Sequence, residues 1–446
     1  KPAAKATPQY SICVLPFTNM SGEAEQEYFS DGISEDIITD LSKISALFVI
    51  ARNTAFTFKG KSLEIPQIAA QLNVSHVLEG SVRKAGGRVR ITAQLIDGAT
   101  GGHVWAERYD RDLTDIFALQ DEISEAIVKA LKLKLLPEEK QAIERRGTDS
   151  AEAYNLYLMA RQYLVGGNSG DYRRDEAIVR LCQAAIAIDQ NYARAWALMA
   201  RAQRSLRFSH SRPGDDGFAA AERALSLEPD LAEAHAVKAR HLAERGRHDE
   251  ANAEIEIALR LDPDSYEAND TAGDLSFRQQ RIEDAIRYYE RATSLMEVEV
   301  GCAGMLLTCY TAIGDRENAR RAAKLVLDRA ERALSQDQGN GSAIAYGVGA
   351  LAVLGDGERA KDWARRALLL DPANNLMRYN IACALSAQLQ DTEAALELLG
   401  PFLAKAQRTY VNHAKVDPDL DPIRNDPRFK TMIADAEARL GALDPA

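Results

Sequence analysis

Few residues of this chain have the types and spacing that chemistry needs. Gly60-Lys61-Ser62 ends like a phosphate-binding loop, in which backbone N–H groups and a lysine hold phosphate oxygens. The complete motif requires glycine five places before Gly60, and Ala55 stands there, so a polar loop is expected. Glu79-Gly80-Ser81 puts a carboxylate into what reads as a buried strand. A buried carboxylate needs a partner, so Glu79 and Ser81 are either structural or contribute to a ligand site or interface. Asp31, Glu35 and Asp36 form an acidic cluster at a helix start, where acids complement the helix dipole; a capping role is expected. His235, His241 and His248 are six and seven residues apart and share no compact helical face, which argues against metal binding. Gly98, Gly101 and Gly102 read as a hairpin turn rather than a dinucleotide loop. The five cysteines are an odd number without any CxxC spacing, the pattern of small buried hydrophobes rather than a disulfide or zinc framework. No catalytic, cofactor-binding or metal-binding residue is therefore expected.

Composition narrows the function classes. The 446 residues carry 55 Lys+Arg against 66 Asp+Glu, a net charge of −11. Phosphate neutralisation needs a basic face, so contact with nucleic acid is not expected. Apolar residues make up 46% and charged residues 27%, ordinary for a globular chain. No apolar run approaches the ~18 residues of a membrane span. The length suggests about three domain-sized units, or one domain with an array. The chain begins at Lys1 without a signal peptide, so it reads as a fragment or a processed product.

Residues 1–9 (KPAAKATPQ) lack periodicity and read as a linker. Residues 10–136 read as an α/β domain with the order β-α-β-α-β-β-β-α and a mixed sheet. Ser11–Phe17 and Leu47–Ala51 are short apolar runs of buried-strand type. His76–Lys84 turns at Ala85-Gly86-Gly87 into Arg88–Asp97, where Val89, Ile91, Ala93 and Leu95 alternate strictly with polar residues; this is a half-exposed antiparallel hairpin. His103–Tyr109 follows as a third strand, and Ile116, Leu119, Ile123, Ile127, Leu131 and Leu135 form one helical stripe. Residues 137–149 read as a second linker.

From residue 150 every element reads as helix, and the chain repeats itself. Gly246, Gln280 and Gly314 lie 34 residues apart, and each precedes an alanine by five: Ala251, Ala285, Ala319. Gly355 with Ala360 and Gln390 with Ala395 continue the pattern. Thirty-four residues per helix–turn–helix is the tetratricopeptide (TPR) period. Paired helices that approach closely need small residues at fixed points: Ala200, Ala239 and Gly273 on first helices, and Ala258, Ala292 and Ala367 further along the second. Pro229, Pro263 and Pro372 stop second helices. About seven repeats fit residues 150–408, forming a superhelical all-α solenoid. Residues 409–446, with Pro418, Pro422 and Pro427 and then the amphipathic Ile423–Leu440, read as a capping segment.

The N-terminal region resembles the FlgO/TolB-amino-terminal-like domain. The resemblance covers about residues 10–136 and rests on Val14–Phe17 (VLPF), Phe29-Ser30-Asp31-Gly32, Leu78–Ser81 (LEGS), Gln94–Asp97 (QLID) and Trp105. It implies a module that precedes TPR arrays and follows, through a membrane helix, either a class III adenylate/guanylate cyclase domain or the winged-helix domain of a CadC-like regulator. The wording of residues 48–61 and 77–101 is closer to the cyclase-linked versions. Either context implies the periplasmic side of the bacterial inner membrane, with cytoplasmic placement as the alternative, a membrane tether upstream, and a possible homodimer.

The expected function is therefore non-catalytic: a sensory or regulatory region that binds a protein or peptide along the concave face of the array. Candidate partner-binding residues are Arg194, His235, Asn269, Arg378 and Asn380. An inert scaffold is the alternative.

Overall fold

The computed structural model describes residues 10–61, 63–144, 147–165, 170–210, 212–296, 298–372 and 374–443. Residues 1–9, expected as a linker, and Ser62 of the loop Gly60–Ser62 lie outside them. Two compact units form: Lys1–Gln162 with Ala184–Tyr192, and Tyr163–Gln183 with Ala193–Ala446.

The first unit is built on a mixed sheet of β1 (Ser11–Val14), β2 (Thr18–Asn19), β3 (Phe48–Val49), β4 (His76–Ala85), β5 (Arg88–Asp97) and β6 (His103–Asp112). The strand order is β3-β1-β4-β5-β6, with β2 beside β4. β1 pairs in parallel with β3 and β4, and β4-β5-β6 is an antiparallel meander. Pro16 splits the run Ser11–Phe17, so pairing resumes only at Thr18. The helices are α1 (Glu27–Ser42), α2 (Arg52–Phe56), α3 (Ile65–Leu72), α4 (Ile116–Ala130), α5 (Pro137–Glu144) and α6 (Ala151–Val165). The inward alternation of β5 buries Val89, Ile91, Ala93 and Leu95 against Ile116, Leu119, Ile123 and Ile127 of α4 and Ile33 and Ile37 of α1. The opposite face of β5 stays polar, with Arg88 and Arg90 paired to Asp110 on β6 at 2.7 and 2.6 Å.

The short motifs of this unit are packing devices. A Cβ on Gly80 would lie 2.4 Å from the Thr92 carbonyl and 2.8 Å from the Phe17 ring. The glycine of LEGS therefore leaves room for the Thr92 carbonyl of the neighbouring strand and for the phenylalanine of VLPF. A Cβ on Gly32 would lie 2.6 Å from a Leu158 methyl, so that glycine makes room for α6.

Three local expectations change. The helix beginning at Ile116 ends at Ala130, not Leu135, because Lys132 turns into the left-handed region at φ 56°. Residues 137–149, expected as a linker, hold α5: Glu139 accepts from the N–H and hydroxyl of Ser45 at 2.8 and 2.7 Å, and Ile143 joins the core. The acids of α1 are not caps, because that helix begins at Glu27. Asp31 takes Lys59 at 2.6 Å; Glu35 pairs with Arg52 at 2.9 Å and with Arg161; Asp36 accepts from Gln120 at 2.8 Å and from the Tyr154 hydroxyl. Tyr154, Leu158 and Arg161 all belong to α6. The helix expected to open the solenoid is thus held, up to Gln162, by the α/β unit.

The second unit is helical throughout. Its helices are α7 (Tyr172–Ile188), whose last residues count with the first unit, then α8 (Ala193–Arg204), α9 (Phe218–Leu227), α10 (Ala232–Glu244), α11 (His248–Leu261), α12 (Tyr266–Arg278), α13 (Ile282–Leu295), α14 (Gly301–Ala312), α15 (Arg316–Gln336), α16 (Gly341–Leu354), α17 (Gly357–Leu370), α18 (Asn375–Ala387), α19 (Thr392–Leu403), α20 (Arg408–Val416) and α21 (Pro427–Leu443). Successive helices pack as antiparallel pairs, and the first helices of neighbouring pairs stand side by side.

The repeat signature has a backbone cause. Gly246, Gln280, Gly314, Gly355 and Gln390 all have positive φ, from 54° to 94°. Each reverses the chain after a first helix, the place where a left-handed residue closes the last turn. Asp315, Asp356 and Asp391 directly follow three of them and cap the next helix. The alanines five residues on are buried where the helices cross, Ala251, Ala285, Ala360 and Ala395 completely so. A Cβ on Gly273 would meet the Tyr289 ring at 2.7 Å. The fifth pair lacks its proline and is stapled instead: buried Arg329 donates to the carbonyls of Thr293, Met296 and Glu299 at 2.9, 3.1 and 2.7 Å.

Candidate partner-binding groove

The first helices α8, α10, α12, α14, α16 and α18 provide the surface on which a partner-binding site was expected. Three of the five candidate residues share one other job. His235 Nε2 meets the Pro229 carbonyl at 2.8 Å, Asn269 donates to the Pro263 carbonyl at 2.9 Å, and Arg378 donates to the Pro372 carbonyl at 2.8 Å. Each ties a first helix back to the proline turn six residues earlier. His235 also holds Glu254 at 2.6 Å through Nδ1, and Asn269 is buried and bonds the Ser265 carbonyl at 2.8 Å. Arg194 lies half-buried at the start of α8. Asn380 is half-buried on α18, and its Nδ2 is buried without a hydrogen-bond partner. In the other unit, Glu79 and Ser81 are half-buried opposite Gln94 and Thr92.

The sequence reading missed a half-buried charge ladder across the first helices. Arg204 on α8 meets Glu244 on α10 at 2.6 Å. Arg240 on α10 meets Asp270 on α12 at 3.0 Å and Asp274 at 3.9 Å, and Arg278 meets Asp274 at 3.1 Å. Burial works against ionising Asp274, but Arg278 and Arg240 outweigh it and hold the carboxyl at about 2. Burial pushes Glu244 up despite Arg204. The signal in the sequence was the four-residue spacing of Arg240/Glu244 and of Asp270/Asp274/Arg278, which places them on one stripe of each helix. The stripe reads equally well as a solvated face.

The C-terminal segment also departs from a plain end cap. α21 packs on α19, as a cap does. The stretch before it runs back along the first helices. Its His413 ring lies 5.4 Å from Phe277 of α12 and 5.8 Å from Tyr379 of α18. Gln280 donates to the Val416 carbonyl at 3.1 Å. Asp417 accepts from the Tyr379 hydroxyl at 2.6 Å and the Cys383 thiol at 3.6 Å. Asp419 accepts from Thr308 of α14 at 3.0 Å and from Gln388 at 3.4 Å. Burial, and then Asp417, push Asp419 up to about 8. Burial also opposes ionisation of Asp417, but hydrogen bonds from His413 and Tyr379 prevail and lower its pKa.

Among the described residues, Cys383, Asp417 and Asp419 bring potential metal-ligating atoms within 4.8 Å of one another. Both carboxylates already accept hydrogen bonds, and burial holds the Cys383 thiol protonated, whereas a metal ligand must be thiolate. No described helix is long and apolar enough to cross a membrane.

Comparison with known proteins divides along the chain. The second domain of HilA/YgeH-like transcriptional regulators matches residues 8–126. A protein named putative adenylate cyclase 3, from Rhizobium meliloti (strain 1021), is 57% identical over 171 residues, covering 37% of this chain and 29% of that protein. The chain thus spans less than a third of that relative's length. Among solved structures, the type IV pilus biogenesis factor PilW is 21% identical, with 55% of this chain and 98% of PilW covered at a TM-score of 0.35. Human IFIT1, solved as a dimer with PPP-AAAA, is 13% identical, with 75% and 87% covered at 0.44. YrrB, described as a TPR protein with an unusual peptide-binding site, is 19% identical, with 49% and 97% covered at 0.28. With every TM-score below 0.5, no function passes from these structures to this chain.

Proposed function

We propose that this chain is a non-catalytic regulatory region of a bacterial signalling protein, with a class III adenylate or guanylate cyclase as the output domain. The observation that carries the reading is the 57% identity to a protein named as an adenylate cyclase, of which this chain covers 29%. The resemblance of residues 10–136 to FlgO/TolB-like modules and the TPR period of the helical unit support the same architecture. In this reading the segment lies on the periplasmic side of the inner membrane behind a membrane helix. The helical unit engages a protein or peptide through its first helices. Class III cyclase sites form between two protomers, so a region that changes the spacing or pairing of protomers controls output without touching substrate.

The test compares the full-length protein with a version lacking residues 150–443. Cyclic-nucleotide synthesis should persist and lose its regulation. Nucleotide turnover by the purified 446-residue chain alone would overturn the reading.

One observation favours a second output. The match of residues 8–126 to the second domain of a transcriptional-regulator family fits a winged-helix protein of CadC type. Promoter binding with and without the helical unit distinguishes the two.

A further inference from the structure

The mixed sheet ends on one side in β3, two residues long, and on the other in β6, ten residues long and mostly exposed. Among the described residues no other segment takes backbone hydrogen bonds from the outer side of β6. An edge of that length is a template for another strand unless something blunts it. The pairing of β6 with β5 slips once, at Leu95/Ile96, which leaves Val104 unpaired; from Trp105 to Asp112 the ladder is regular. The ladder also fixes which backbone groups stay free. The Leu113 N–H donates to the Gly87 carbonyl at 2.8 Å, so by antiparallel alternation Trp105, Glu107, Tyr109 and Arg111 bond to β5. The backbone groups of Ala106, Arg108, Asp110 and Asp112 point away from the sheet. Among the described residues Arg108 makes no ion pair, and Glu107 accepts from the Tyr109 hydroxyl at 2.5 Å without a cation beside it.

We propose that the α/β unit pairs with a second copy of this chain through β6, antiparallel and centred on Tyr109, so that the two sheets join into one. The argument is charge complementarity. Two identical strands on a two-fold axis pair about one central residue. Centring on Glu107, Arg108, Asp110 or Arg111 sets two like charges face to face, which is destabilising. Centring on Ala106 makes no ion pair and runs the pairing through the irregularity at Val104. Centring on Tyr109 puts Glu107 opposite Arg111 of the second copy and Arg108 opposite its Asp110, each twice. The half-buried Trp105 then faces Leu113 of the second copy. The free backbone groups agree with this register, because Arg108 with Asp110 and Ala106 with Asp112 become the hydrogen-bonded pairs. Charges that merely guarded the edge would gain nothing from matching their own reverse. Glu107-Arg108-Tyr109-Asp110-Arg111, read backwards, is its own complement in charge. The inference goes beyond the proposed function: it concerns the α/β unit and holds for either output domain.

The experiment uses the full 446-residue chain and exposed positions only, so the variants keep the fold. Sedimentation equilibrium of the wild-type chain should show a monomer–dimer equilibrium in the micromolar range, since edge pairing buries a small interface. Glu107→Lys and Arg111→Glu should each weaken association about tenfold, because each replaces two opposite-charge pairs by two like-charge pairs. An equimolar mixture of those two variants should recover the dimer, since the altered charges then face their opposites. The register is read by cross-linking. A chain with Ala106→Cys mixed with a chain with Asp112→Cys should form a disulfide-linked dimer on mild oxidation, the facing Cα atoms being about 5.5 Å apart. Neither chain should cross-link by itself, and the native cysteines are buried. A wild-type chain that stays monomeric would overturn the proposal, as would a mixture of Glu107→Lys and Arg111→Glu chains no more associated than either by itself. Cross-linking of the Ala106→Cys chain by itself would place the centre elsewhere and overturn it equally. Failure of the cyclase test leaves these outcomes untouched, because they read association of this chain and not the output domain.

Discussion

Thr308 and Asp419, separated by 111 residues of sequence, share a hydrogen bond of 3.0 Å. Through it the C-terminal segment reaches from the last helix pair back to α14, and the surface expected to be open for a partner carries the chain's own acids. Four consequences can be measured.

Attachment of the tail should weaken as pH rises. Asp419 has a folded pKa of about 8, above the ~3.9 of an unfolded aspartate. The folded state therefore holds the extra proton between those values. This group's contribution is greatest below about pH 4, is lost as pH rises toward 8, and is flat beyond. Asp417 is shifted the other way, so its contribution is lost as pH falls below about 4. The groups facing Asp419 are Asp417, Asp421, Thr308, Gln388, Cys309 and Cys383. Amide exchange of residues 411–421, corrected for its intrinsic pH dependence, should accelerate from pH 5 to 8. Asp419→Asn should flatten that rise; an unchanged slope would refute the assignment.

Arg329→Ala should cost about 3 kcal/mol, because one buried and two part-buried carbonyls lose their donor at once and each orphan costs about 1–3 kcal/mol when buried. Arg329→Lys should recover only part, since an ammonium cannot reproduce the fork. Urea denaturation of the three proteins checks the order.

Ala285→Leu should destabilise by about 1–3 kcal/mol through overpacking at a fully buried helix crossing. The Gly-rich stretch beside Ala343 suggests a tolerant control site, but Ala343 is itself buried at 1% exposure. Leu369, 82% exposed, is the proper control, and Leu369→Ala should fall within about 0.5 kcal/mol. Equal losses would mean that the crossing is misassigned.

His235→Ala, Asn269→Ala and Arg378→Ala should each lower stability by about 1 kcal/mol by freeing a turn carbonyl. Urea denaturation checks this, and unchanged stability in all three variants would restore them as partner-contacting residues.

The sequence by itself determined what is local. The alternation of Val89, Ile91, Ala93 and Leu95 specifies a two-faced strand, because successive side chains point to opposite faces. The 34-residue spacing of Gly246, Gln280 and Gly314 specifies the repeat, because each site needs a backbone conformation that glycine adopts freely. The prolines after α9, α11 and α17 mark their ends for an equally local reason. Tertiary structure alone decided which polar residues face each other. His235, Asn269 and Arg378 are unlike side chains doing one job, visible only once the turns bring proline carbonyls beside them. Asp36 reads as a cap until Tyr154 of α6 is seen to donate to it. Asp417 and Asp419 read as part of a solvated, proline-rich tail, and nothing within hydrogen-bonding reach in sequence says otherwise. Their partners Thr308, Tyr379, Cys383 and Gln388 lie 31 to 111 residues away. A hydrogen bond of 3 Å between residues so far apart leaves no periodic trace in the chain. Backbone conformation is set by near neighbours, whereas the pairing of buried charge is set by the fold.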